Sequence, residues 1–199
     1  MATDSTQARA PTFMEKVMAA TPGVTNLERC IQCGTCGGSC PSGPDMDHTP
    51  RAIFALMAAG KEDKVLSSNT PWYCVSCYFC MVRCPQEIHI TDIMYTLKRF
   101  SLHEGTYKKG SAADAPGFSQ NFIYFVENYG RSFELGVASR YHLETHPLEA
   151  LKLAPFGLGM WRRGRMDFTP KKIKHLDQLK AILNKAKELE EADWAELEA

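Results

Sequence analysis

Residues 30–41 read Cys30-Ile-Gln-Cys33-Gly-Thr-Cys36-Gly-Gly-Ser-Cys40-Pro41. Residues 74–85 read Cys74-Val-Ser-Cys77-Tyr-Phe-Cys80-Met-Val-Arg-Cys84-Pro85. Both have the spacing C-x2-C-x2-C-x3-C-P, and together they hold all 8 cysteines. This is the run that binds [4Fe–4S] clusters. A cubane has four irons, and each takes one thiolate. Three cysteines at two-residue gaps can wrap one face of it in a tight loop. The fourth, three residues on and followed by proline, starts a new segment. Zinc sites instead use paired knuckles far apart in sequence. Disulfides belong to oxidising compartments.

In two-cluster ferredoxins the fourth cysteine of each run ligates the other cluster. By that rule Cys30, Cys33, Cys36 and Cys84 hold the first cluster. Cys74, Cys77, Cys80 and Cys40 hold the second. All eight are the candidate metal ligands; no residue is a candidate for catalysis. The loops differ in their other residues. Gly34, Thr35, Gly37, Gly38 and Ser39 leave backbone N–H groups free to approach sulfur. Val75, Tyr78, Phe79, Met81 and Val82 are expected to exclude water. A dry site resists added charge. The first cluster is therefore expected to have the higher potential, with Arg83 opposing the difference.

Composition excludes other roles. Lys plus Arg and Asp plus Glu are both 23, so the net charge is zero. That argues against nucleic acid as a partner. Apolar runs such as Ile53–Ala59 fall far short of the roughly 20 residues that span a bilayer. Met1 to Gly23 carries Asp4, Arg9, Glu15 and Lys16 and no apolar segment, unlike a signal peptide. A reducing cytoplasm is the expected setting, where cysteine clusters hold metal.

The expected fold is mainly α: an α-helical ferredoxin domain with two clusters and a helical C-terminal extension. Residues 1–22 read as a flexible arm with a short helix, residues 23–106 as the cluster domain, and residues 107–199 as an extension that docks other proteins of a complex. Residues 1–11 read as disordered. A helix over 11–20 would present Phe13, Met14 and Val17. In the 33-residue connector Pro41–Tyr73, Thr49-Pro50 starts a helix with Ile53, Leu56 and Met57 inward, and Gly60 ends it. Lys61–Ser68 forms another, and Asn69-Thr70-Pro71 a turn. Thr91 caps a helix to His103 with an apolar stripe of Ile93, Met94, Leu97 and Phe100. Later helices are expected over 119–129, 135–142 and 147–153. A last one starts at Thr169-Pro170, with Lys171, Lys172 and Lys174 and a glutamate-rich end opposing its dipole.

The helical connector resembles the helical ferredoxin domains of succinate dehydrogenase iron–sulfur subunits and heterodisulfide reductases. The stretch HTPRAIFALMAAGKEDKVLSSNTPWYCVSCYFCMVRCP, residues 48–85, is similar to the C subunit of heterodisulfide reductase, as is FGLGMWRRGRMDFTPKKIK, residues 156–174. The resemblance implies an electron-transfer component of an oxidoreductase acting on sulfur compounds. It would pass electrons between a flavin-containing A subunit and a CCG-type catalytic B subunit. This chain has no CCG repeat, no flavin signature and no catalytic site of its own. The acidic segment after Lys174 is longer than a compact methanogen version and points to the sulfur-oxidising type. The alternative is a free two-cluster ferredoxin, or the iron–sulfur component of another oxidoreductase. A free ferredoxin would be short and acidic.

Of the 6 histidines, His142 and His146 stand four apart, the spacing that can share a metal, but Pro147 follows at once. His48, His89, His103 and His175 are scattered. Arg162, Arg163, Arg165, Lys171, Lys172 and Lys174 form a basic run beside Trp161, read as docking for an acidic partner or as a solvated loop.

Overall fold

The computed structural model describes residues 10–23, 25–109 and 114–198. The disorder expected over residues 1–11 falls almost wholly on residues 1–9, outside the described residues. The chain forms two compact units, 1–112 and 113–199. The elements are helical throughout, and no strand occurs among the described residues. No described helix is long and apolar enough to cross a membrane.

The first unit is built on α7 (Ile90–His103). Ile93, Met94, Leu97 and Phe100 are buried, as their spacing requires. Helix α1 (Phe13–Ala20) starts at a capping box: Glu15 N donates to Thr12 Oγ1 at 3.3 Å, and Thr12 N donates to Glu15 Oε2 at 2.6 Å. It is packed into the body rather than free. Val17 is fully buried, and Phe13 meets Phe100 edge-on at 6.1 Å. Between the cysteine runs lie α3 (Pro50–Ala58), α4 (Glu62–Leu66) and α5 (Thr70–Tyr73). Ala52 N donates to the Thr49 hydroxyl at 3.4 Å, the expected cap of α3. The buried face of α3 is Pro50, Ile53, Phe54 and Met57; Leu56 lies only half-buried, and Phe54 takes the inward place.

Two boundaries differ from the sequence reading. Helix α7 begins at Ile90, so Thr91 is a buried residue of its first turn and not its cap. Asn69-Thr70-Pro71 is not a free turn but opens the helical turn α5, because both polar side chains are held across the fold, as described below.

The second unit contains α8 (Asp114–Tyr129), α9 (Glu134–Thr145), α10 (Pro147–Arg162) and α11 (Leu176–Glu198). Helix α8 starts five residues before the expected Ser119. Asp114 in its first turn suits the positive end of the helix, and Pro116 is tolerated there. Phe125 and Val137 form the buried centre, with Phe125 packed against Tyr129 and Phe133 at 5.9 and 5.8 Å. Helix α10 runs nine residues past the expected Leu153, through Pro155.

Helix α11 does not start at Thr169-Pro170. Ile173 N donates to Tyr129 O at 3.0 Å, which draws this segment out of helical geometry. Lys171, Lys172 and Lys174 therefore precede the helix and do not oppose its dipole; Asp177 occupies the first turn. The acidic end stays helical to Glu198. Lys185 pairs with Glu188 at 2.8 Å, and Lys187 with Glu127 of α8 at 2.7 Å.

Candidate iron–sulfur centre

Each cysteine run folds into the same backbone. Gln32 and Ser76 take positive φ, 58° and 55°, and so do Gly34 and Tyr78, 83° and 62°. One helical turn follows in each: α2 (Thr35–Gly38) in the first run and α6 (Phe79–Val82) in the second. A chain turned this tightly curls three cysteines round one centre.

Two polar clamps set the loops against each other. After the first run, Asp47 N donates to Asn69 Oδ1 at 2.7 Å, and Asn69 N donates to Asp47 Oδ2 at 2.8 Å. His48 N donates to the Thr70 hydroxyl at 3.1 Å, which donates to His48 O at 2.7 Å. Thr70 is fully buried. This clamp ties the segment following Cys40 to the segment preceding Cys74. The second clamp is its counterpart. His89 N donates to Thr25 O at 3.1 Å, and Asn26 Nδ2 donates to Glu87 O at 3.3 Å. It ties the segment following Cys84 to the segment preceding Cys30.

The result regroups the cysteines. One void is lined by Cys30, Cys33, Cys36 and Cys84, with Arg51, Phe54 and Ile88 in its wall. The other is lined by Cys40, Cys74, Cys77 and Cys80, with Met46, Thr91 and Met94. Ile90, the first residue of α7, borders both. Among the described residues no three His, Cys, Asp or Glu side chains converge as on a single ion. The cysteines ring a space instead.

The donor chemistry fits a cationic cluster. Burial pushes the Cys36 thiol up to about 11, and the neighbouring Cys80, Cys30 and Cys33 add to it. Burial also raises Cys40 and Cys80, with Cys74 and Cys77 adding to both. Grouped thiols of this kind hold their protons unless positive charge shares the site. The exposed Cys33 is instead lowered by the Thr35 hydroxyl 3.4 Å away. Gln32 Nε2 donates to Cys30 Sγ at 3.4 Å.

One sequence expectation is corrected. The apolar residues of the second loop do not seal it. Val82 is 84% exposed and Phe79 55%, while Val75 and Tyr78 line the void from an exposed position. Sequence alone gives Asn69 and Thr70 only a turn role and gives Asp47 none. Their only signal was a polar pair of turn formers, which says nothing of a partner 22 residues away.

The histidines are dispersed. His89 Nδ1 lies 3.1 Å from Asp92, and His146 Nε2 lies 3.1 Å from Asp114. His142 Nδ1 is buried without a hydrogen-bond partner among the described residues. In the second unit, α9 and α10 border an apolar cavity of about 550 Å³ lined by Leu135, His142, Phe156, Trp161 and Phe168, among others. The basic residues Arg162, Arg163 and Arg165 beside it are exposed.

Comparison with known proteins agrees with the site. Residues 26–88 match the family described as 4Fe-4S dicluster domain. Over 82 residues the chain is 44% identical to the C subunit of the H(2):CoB-CoM heterodisulfide,ferredoxin reductase of Methanothermobacter marburgensis, covering 41% of this chain and 43% of the relative. It is 42% identical over 82 residues to the second iron-sulfur C subunit of the CoB–CoM heterodisulfide reductase of Methanocaldococcus jannaschii, 41% of this chain and 44% of the relative. With the iron-sulfur C subunit of the Methanopyrus kandleri enzyme the identity is 36% over 86 residues, 43% of this chain and 45% of the relative. The chain thus spans less than half the length of these relatives. It carries a 4Fe-4S dicluster domain over residues 26–88, and these three relatives are heterodisulfide reductase C subunits.

Proposed function

We infer that this chain is an electron-relay component of a heterodisulfide reductase-like complex. Cys30, Cys33, Cys36 and Cys84 hold one [4Fe–4S] cluster, and Cys74, Cys77, Cys80 and Cys40 hold the other. The observation that carries this reading is the three-plus-one grouping of cysteines around two adjacent voids, fixed by a clamp on each side. Each cluster, when bound, supplies a one-electron carrier; the chain's own residues hold it and set its surroundings. The crossed fourth ligands tie the two loops together, and among the described residues Ile90 alone borders both voids, so the carriers stand close enough for rapid exchange.

The chain acts without breaking bonds. Its partners are a flavin- and iron–sulfur-containing A subunit and a CCG-type B subunit, which performs the chemistry on a sulfur compound. The complex works in the cytoplasm and binds no nucleic acid. Residues 107–199 dock the partners. In support, α10 buries none of its described side chains: Leu148, Leu151, Phe156 and Trp161 are at least half exposed. Surfaces of this kind are partner sites. Affinity purification of the tagged chain from its own cells under anaerobic conditions tests this. A flavoprotein and a CCG-type protein should co-elute in fixed ratio. Recovery of the chain alone, with its clusters, would mean a free ferredoxin.

A further inference from the structure

The two cysteine loops share a backbone, so their side chains can be compared position by position. Ile31 and Val75 correspond, and both are exposed and apolar, 61% and 66%. The loops differ at later positions, and at three of these the second loop exposes a large apolar side chain where the first has a small one. Gly34, Thr35 and Gly38 of the first loop stand where the second has Tyr78, Phe79 and Val82. Tyr78 holds a left-handed backbone at a cost of about 1–2 kcal/mol, where the first loop uses glycine. The fold does not ask for a tyrosine there. Phe79 and Val82 lie mostly in solvent, so they do not serve the core either.

The patch is flanked by positive charge. The Arg83 guanidinium lies 5.9 Å from the Phe79 ring centre. Lys98 Nζ lies 4.9 Å from that of Tyr95, whose hydroxyl is 2.8 Å from Ser76 Oγ. Neither cation forms an ion pair among the described residues. An apolar centre with unpaired cations at its edge, lying over a redox site, fits a partner with the converse surface. A second copy of this chain would set cations against cations across a two-fold axis.

We propose that the face formed by Tyr78, Phe79 and Val82, flanked by Arg83 and Lys98, docks a redox protein whose contact surface has an apolar centre and carboxylates at its edge. Electrons then enter or leave this chain on the Cys74–Cys80 side. The inference deepens the relay reading and rests on it. A small patch suffices, since electron-transfer encounters have the smallest specific interfaces.

The test uses the complex isolated from its own cells, with the photo-cross-linking residue benzoylphenylalanine placed at position 82 or, as control, at its counterpart 38. Position 82 should give several-fold more cross-link than position 38, to a flavin- or iron–sulfur-bearing protein, within a peptide that carries Asp or Glu. Equal yields, no product from 82, or a product with lipid or a second copy overturns the proposal. Val82→Glu provides the kinetic arm. Iron content and reduction by methyl viologen should stay unchanged, while electron exchange within the complex slows by about tenfold. An unchanged exchange rate with intact clusters removes the docking face and leaves the relay reading standing. Wild-type protein without clusters removes the relay reading itself.

Discussion

Replacing Cys40 by alanine separates crossed ligation from its simplest rival. If each run held its own cluster, this change would injure the site of Cys30, Cys33 and Cys36. The arrangement of the voids places the damage in the other loop, because Cys40 lines the space with Cys74, Cys77 and Cys80. The remaining set keeps all four thiols, and its clamp, His89 to Thr25 and Asn26 to Glu87, does not involve residue 40. Two cubanes carry about eight irons, so the variant should fall toward about four per chain. The identity of the lost cluster is read by alkylation under native conditions, followed by mass spectrometry. Cys74, Cys77 and Cys80 should become reactive, while Cys30, Cys33, Cys36 and Cys84 stay protected. Cys84→Ala should give the converse map. Labelling of Cys30, Cys33 and Cys36 in the Cys40 variant would refute the crossed assignment.

The other predictions concern packing, charge and potential. Thr70→Val keeps the shape of a fully buried side chain but strands His48 N and O; denaturant melts of the cluster-loaded protein should show a loss of about 1–3 kcal/mol, and an unchanged midpoint would discount the clamp. Gly136→Ala places a methyl group against the rings of Phe125 and Phe133, and thermal unfolding of the second unit should reveal about 1–3 kcal/mol of overpacking. Partial burial raises the Glu104 carboxyl above its ordinary value, with Glu62 adding to it, so the folded state favours the proton. The stability that this proton contributes is lost as pH rises through the folded value, so the advantage of Glu104→Gln in melting temperature should widen from about pH 5 to about pH 8; a gap that narrows contradicts the sign. Arg51 lines the void of Cys30, Cys33, Cys36 and Cys84, where a cation favours the added electron. EPR redox titration of Arg51→Gln should show that cluster alone shifting to lower potential.

Much of the first unit was legible in the sequence because its determinants are local. The stripe Ile93, Met94, Leu97 and Phe100 has a helical period that only burial explains. Thr49-Pro50 carries its capping chemistry in two adjacent residues. The doubled cysteine spacing carries the dicluster signal within two short stretches. What was missed depends on contacts between distant segments. The role of Asn69 and Thr70 is set by residues 45–48, and no local pattern encodes that pairing. Thr169-Pro170 looked like a helix start, but Ile173 is claimed by Tyr129 before a helix can form. The sequence signal for α10 stops at Leu153 because Pro155, Gly157 and Gly159 erase the helix propensity beyond it. The second loop looks like a seal in sequence because composition reports polarity but not direction. On a single helical turn, Phe79 and Val82 face outward.

Everything this chain does in an electron relay depends on its caging two [4Fe–4S] clusters. Chemical analysis of anaerobically purified, full-length protein, joined to low-temperature EPR after dithionite, tests it most directly. The expected result is about eight irons and about eight acid-labile sulfides per chain, with two reduced [4Fe–4S] signals broadened by their proximity. Zinc in place of iron, or cysteines that bind neither iron nor sulfide after reconstitution, would contradict it.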